Sequence, residues 1–129
     1  MNENAKAGYR QASYAKPTKR YCQILDLYED DELIRRYVEA HAAENSWPEI
    51  SAGIRAVGIL NMEIYIHANH LFMIVDTEED FEWEEAFARL ATMDRQEEWE
   101  EYVSQFQRSL PGASSAEKWT LMPRIFKLL

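Results

Sequence analysis

The sequence predicts an α+β domain built in the order β-α-β-β-α-β, and three observations carry that prediction. Apolar residues alternate with polar ones over residues 20–27 and 59–66 and run unbroken over 71–75. Between these segments they recur at helical spacing, first as Leu33, Ile34, Tyr37, Val38 and His41, later as Trp83, Phe87, Leu90 and Ala91 and as Trp99, Tyr102, Val103 and Phe106. Acids and turn residues punctuate each change of period. That order is the ferredoxin-like one, with each helical crossover split in two.

Taken along the chain, strand 20–27 runs into Asp30-Asp31-Glu32, acids suited to a helix N-terminus, and a helix over about 31–44 follows. Ser46-Trp47-Pro48-Glu49 reads as a capping box, with Ser46 as N-cap and Glu49 at the third helical position; it opens a shorter helix that Gly58 can end in a left-handed conformation. A hairpin joins strands 59–66 and 71–75 through His67-Ala68-Asn69-His70, read as solvated turn residues. Two histidines at that spacing raise the question of a metal, but the turn adds no acidic or thiol ligand. Thr77-Glu78-Glu79-Asp80 and Asp94-Arg95-Gln96-Glu97 are two further capping signatures, each ahead of a helix. The loop Leu110-Pro111-Gly112-Ala113-Ser114-Ser115 then leads to a last strand over about 118–128. Pro123 makes it an edge strand or a bulged one, because proline donates no ladder hydrogen bond.

Length and composition limit the alternatives. A chain of 129 residues fits one domain and buries a core without a metal or disulfide. Cys22, the single cysteine, excludes an intrachain disulfide and a thiolate zinc site, and reads as a small buried residue of the first strand in a reducing compartment. With no apolar run of about 18 residues and no signal-peptide core, a cytoplasmic location and no membrane partner are expected. Residues 1–20 carry five Lys/Arg against one Glu, whereas residues 21–129 carry nine against twenty-two. The expectation is a flexible basic tail over 1–18 and one acidic domain over 19–129, which repels nucleic acid.

Chemistry concentrates around His41. Imidazole exchanges protons near neutrality, and Tyr37, four residues earlier, lies one helical turn away on the same face. The same stripe also describes an ordinary buried helix face, so spacing alone leaves a structural histidine open. In this architecture helices cover one sheet face, and an exposed apolar face on the other side calls for a partner, most simply a second copy in a homodimer.

Several segments taken together resemble the L-rhamnose mutarotase family. They are Tyr21-Cys22-Gln23-Ile24-Leu25-Asp26-Leu27, Tyr37-x-x-x-His41 with Trp47-Pro48-Glu49, Asn61-Met62-Glu63-Ile64-Tyr65, Leu71-Phe72-Met73-Ile74-Val75 and Trp99-x-x-Tyr102. The similarity spans about residues 20–128 and is closest to the longer branch, L-rhamnose or L-fucose mutarotase, which shares Leu110-Pro111-Gly112 followed by Lys118-Trp119. The resemblance implies a dimeric α/β barrel that interconverts the α and β anomers of a 6-deoxy-hexose monosaccharide without metal or cofactor. It places the general acid/base group on His41 and a sugar-contacting tyrosine on Tyr37, with Trp47 among the substrate-binding residues. The family's paired tryptophans fall on Trp99 and Glu100, and a further ligand-contacting tyrosine falls on Met62, two departures inside the pocket. Those departures motivate an alternative, a non-catalytic small-molecule-binding dimer on the same fold. A small oxygenase on that dimer is a third possibility, and haem titration separates it from the others.

Overall fold

In a computed structural model that describes residues 5–110 and 112–129, the alternating segments pair into one antiparallel sheet. β1 (Thr18–Asp26) runs between β3 (His70–Glu78) and β4 (Thr120–Leu121), and β2 (Ile59–His67) pairs with the far side of β3. The strand order β2-β3-β1-β4 is the ferredoxin-like one the sequence predicts. Helices α1 (Asp31–Ala40) and α2 (Pro48–Ala56) form the first crossover, while α3 (Trp83–Leu90), α4 (Gln96–Ser104) and the one-turn α5 (Ser115–Lys118) form the second.

Pleating decides which side chains meet the helices. Register sets Gln23 opposite Met73, Leu25 opposite Leu71 and Met62 opposite Val75, so these residues share the inner face. There Leu25, Leu71, Met73 and Val75 are buried in one cluster with Phe87, Leu90 and Val103, each contributing roughly 1.5–3 kcal/mol by leaving water. Ile24, Phe72 and Ile74 point the other way, with Ile24 exposed. This outer face also carries an ion pair: Arg20 Nε lies 2.8 Å from Asp76 Oδ1 and the Tyr14 hydroxyl donates to Oδ2 at 3.0 Å. Burial pushes the Asp76 carboxyl up, but the hydrogen bonds from Arg20 and Tyr14 outweigh it and hold the group below its ordinary range. The Tyr9 ring packs edge-on against Tyr65, so the segment ahead of Thr18 runs over this face.

Several local expectations are corrected. The first helix stops at Ala40, and a 3-10 turn follows at Ala43–Asn45. Ser46 caps nothing ahead of it; its hydroxyl turns back to Ala43 O, and Trp47 is the N-cap with Pro48 in the first turn. Thr77 belongs to β3, which outlasts the predicted strand, and α3 starts after Glu82. Arg95, in a left-handed conformation, replaces Asp94 as the cap of α4. A complete capping box does form elsewhere, at Ser114 and Glu117. In the hairpin, Asn69 is buried rather than solvated, donating from Nδ2 to Leu27 O. Cys22 sits on the outer face and is only partly buried. The last strand is two residues long: beyond the bond from Met122 N to Cys22 O, Pro123 breaks the ladder and the chain leaves the sheet. Pro111, part of the expected loop, lies outside the described residues.

Two points of attachment aim the helices. Asp30 caps α1 as expected, accepting from Leu33 N at 3.0 Å. Past the end of α4, Phe106 is fully buried, Tyr28 N donates to Phe106 O, and Arg108 N donates to Asp26 O. The end of α4 is thereby tied to the end of β1.

Candidate functional site

Between the helix layer and the inner face of the sheet lies a cavity of about 440 Å³. Tyr37 and His41 enter it from α1, Trp47 from the start of α2, Met62 from β2, and Trp99 and Glu100 from α4. All six residues singled out in the sequence therefore line one space, although they come from four separate elements.

His41 closes α1 as its C-cap. Its Nδ1 lies 2.8 Å from Tyr37 O. A carbonyl only accepts, so in the neutral ring Nδ1 carries the proton and Nε2 keeps the lone pair. The ring is packed on both sides: its centre is 4.3 Å from the Tyr37 ring and 5.4 Å from Trp99, which meets it edge-on. The residue nevertheless retains exposed surface. It is exposed and reachable, and partial desolvation by its neighbours lowers its pKa below the ordinary imidazole value despite the opposing bond to Tyr37 O. His41 is consequently neutral at neutral pH, with a base nitrogen not engaged by that bond.

Tyr37 is buried, and burial raises its pKa far above the ordinary phenol value, with the Gln107 bond acting the other way. Its hydroxyl accepts from Gln107 Nε2 at 3.4 Å. It stays protonated and can serve as a donor or a hydrogen-bonding anchor. Trp99 packs at 5.1 Å from Trp47, and the Arg95 guanidinium lies 4.1 Å from the Trp47 ring centre. Arg95 also pairs with Glu49 at 3.1 Å, joining α2 to the start of α4. Met62 adds apolar surface.

Glu100 is the acidic group of a wall that also carries Arg55. It accepts from Gln96 Nε2 at 2.7 Å and from Lys118 Nζ at 2.9 Å. Gln96 and Gln107 also line the cavity, and each has an Oε1 buried without a partner among the described residues. Sequence reasoning missed three of these. Gln96 had a signal, since it shares a face of α4 with Trp99, Glu100 and Val103 at spacings of three, four and seven. Lys118 had only the shared Lys118-Trp119 pair, which gave it no role, and Gln107 had no signal, because it reaches the site from an irregular segment.

The arrangement can move protons on a small polar molecule that has an apolar face: a neutral base, a protonated phenol, an indole platform and several acceptors converge on a monosaccharide-sized space. Among the described residues no group of three or more His, Cys, Asp or Glu side chains could hold a metal ion. His70, one of the two hairpin histidines, pairs instead with Asp26 at 2.7 Å.

Comparison with known proteins agrees with this chemistry. The model of the L-rhamnose mutarotase family matches residues 20–128. An L-fucose mutarotase of Xanthomonas campestris pv. campestris is 36% identical over 110 residues, covering 85% of this chain and 88% of that protein. A UPF0734 protein of Dictyostelium discoideum is 31% identical over 114 residues, covering 85% and 90%. Among solved structures, an L-rhamnose mutarotase from Formosa agariphila superposes with a TM-score of 0.65 at 18% identity, over 86% of this chain and 99% of that one, which shows a shared fold.

Proposed function

We propose, for a chain that belongs to the L-rhamnose mutarotase family and is a sugar-anomer isomerase of the aldose 1-epimerase kind, that His41 is its acid/base group and a 6-deoxy-hexose such as L-rhamnose or L-fucose its substrate. The observation that carries the residue assignment is the His41 ring: its Nδ1 is committed to Tyr37 O, it is held neutral, and it lies on the wall of a pyranose-sized cavity.

In the forward direction, His41 Nε2 takes the proton of the anomeric hydroxyl. As C1=O1 forms, the bond from C1 to the ring oxygen breaks, and that oxygen receives a proton from Tyr37 or from a water relay. The open form is a neutral aldehyde, so no long-lived charge needs stabilising. After rotation about the bond from C1 to C2, the hydroxyl re-adds to the other carbonyl face and the proton transfers reverse. Positioned groups of this type supply about 10²–10⁴-fold acceleration. Trp99 and Trp47 offer aromatic surface to the sugar's C–H groups, while Met62 and Glu100 shape the remainder of the pocket.

The protein acts, on this reading, as a cytoplasmic homodimer with no nucleic-acid partner, in keeping with its acidic domain. Exposed apolar side chains support the dimer: Ile24 on the outer sheet face, and Ile125 and Phe126 beyond β4. No helix among the described residues is long and apolar enough to cross a membrane.

Saturation-transfer NMR on equilibrated L-rhamnose and L-fucose tests the catalytic assignment. The native protein should transfer saturation between anomers, and His41→Ala should reduce the exchange to the uncatalysed rate without loss of fold by circular dichroism. Full exchange in His41→Ala removes that residue from its role.

A further inference from the structure

We propose that Glu100, held by Lys118, selects the sugar by accepting a hydrogen bond from one ring hydroxyl, with Glu100 as the specificity-determining residue and Lys118 as the positioning residue. This deepens the reading of the cavity as a monosaccharide site and rests on it.

The Lys118 side chain has no exposed surface, whereas Glu100 keeps 16% of its side chain exposed. From the end of α5, Lys118 Nζ reaches across to α4 and donates to both Glu100 O and Glu100 Oε1, each at 2.9 Å. A buried ammonium is strongly destabilising without a partner, so this lysine and this carboxylate require each other. A surface pair would have no such dependence. Gln96 Nε2 occupies the second carboxylate oxygen at 2.7 Å.

Two donors do not exhaust a carboxylate, which has about four lone-pair sites. Glu100 lines the cavity beside Trp99, and it also lines a second cavity bounded by Ser104 and Ser114. The neighbouring amide reinforces the same polarity. Because Gln96 Nε2 must be the atom that donates to the carboxylate, its Oε1 is an acceptor, and it has no partner among the described residues; nor has Gln107 Oε1. On this part of the wall, Gln96 Oε1 and Gln107 Oε1 are acceptors that no described donor fills. A pyranose hydroxyl supplies the missing donor, while its C–H face lies on Trp99.

The implied substrate class is a pyranose with a free hydroxyl at the carbon facing Glu100 and its methyl group directed elsewhere. A deoxy carbon or a methyl ether at that carbon would displace water from the carboxylate and return no hydrogen bond, which is the situation in which polar sites discriminate strongly.

Tryptophan fluorescence titration of the native protein with a parent sugar and its monodeoxy analogues reads this directly, alongside Lys118→Met and the double variant Glu100→Leu/Lys118→Met. The double variant removes both charges together and so guards against misfolding of the single one. One deoxy position should weaken binding to the native protein by about 10- to 100-fold, and both variants should reduce that ratio to about 3-fold or less while leaving the other positions as they were. In exchange kinetics on the parent sugar, the loss should fall more on KM than on kcat. A double variant that folds and keeps the full native discrimination at every position overturns the proposal. Selective binding without anomer exchange would instead remove the catalytic assignment and leave this wall standing.

Discussion

At the scale of single residues, two competing influences set the protonation of His41. The rings of Tyr37 and Trp99 partly desolvate the imidazole and disfavour its charged form, and the Tyr37 carbonyl only partly offsets this. Its folded pKa therefore lies below the ordinary 6.5. In the window between the two values the unfolded chain binds more protons than the folded one, so the contribution to stability falls as pH is lowered through it. Catalysis follows the folded value. With the neutral ring as the proposed base, anomer exchange should stay level as pH falls through 6.5 and decline only below it. Exchange rates measured over about pH 5 to 8 check this; a rate already half lost at 6.5 or above contradicts it.

At the scale of elements, Gly58 shows how a turn sets the site. It ends α2 with φ +101° and delivers the chain into β2, where a bulge between Ile59 and Asn61 precedes Met62 on the cavity wall. A Cβ at this position would meet only ordinary contacts, the nearest being Phe81 Cδ1 at 3.5 Å. The cost of Gly58→Ala is then conformational, about 1–2 kcal/mol, and urea denaturation should show a lower midpoint with an unchanged slope. Loss of less than about 0.3 kcal/mol would mean that the turn relaxes freely. The capping signatures illustrate the limits of local reading. Ser46, Thr77 and Asp94 each had a suitable side chain at a suitable spacing, yet pairing of β3 with β1 claimed Thr77, and the entry into α2 and α4 was set by Trp47 and Arg95, which bridge the two helices. Tertiary contacts outweighed caps worth about 1 kcal/mol.

At the scale of the whole molecule, the segment beyond β4 leaves large apolar side chains in water: Ile125 is 95% exposed, Phe126 74% and Leu128 85%. Covering each would stabilise an assembly by roughly 1.5–3 kcal/mol. A protein shortened to end at Pro123 should therefore dissociate at least about 100-fold more readily than the full chain, by sedimentation velocity across a concentration series. Identical sedimentation of the two forms would remove this segment from the proposed dimer interface.

Much of this could be read from the residues alone. Period-two and period-3.6 patterns determined the element order, because burial of one face imposes those spacings on any sequence with this topology. The Tyr37/His41 pair was legible for the same reason, being one turn apart on one helix. The separation of Lys118 from solvent was decided only by the tertiary structure. So was the meeting of Gln96, Gln107 and Lys118 around Glu100 and Tyr37. These depend on contacts between residues up to 70 positions apart, and one-dimensional spacing carries no information about which distant side chain fills a shared cavity.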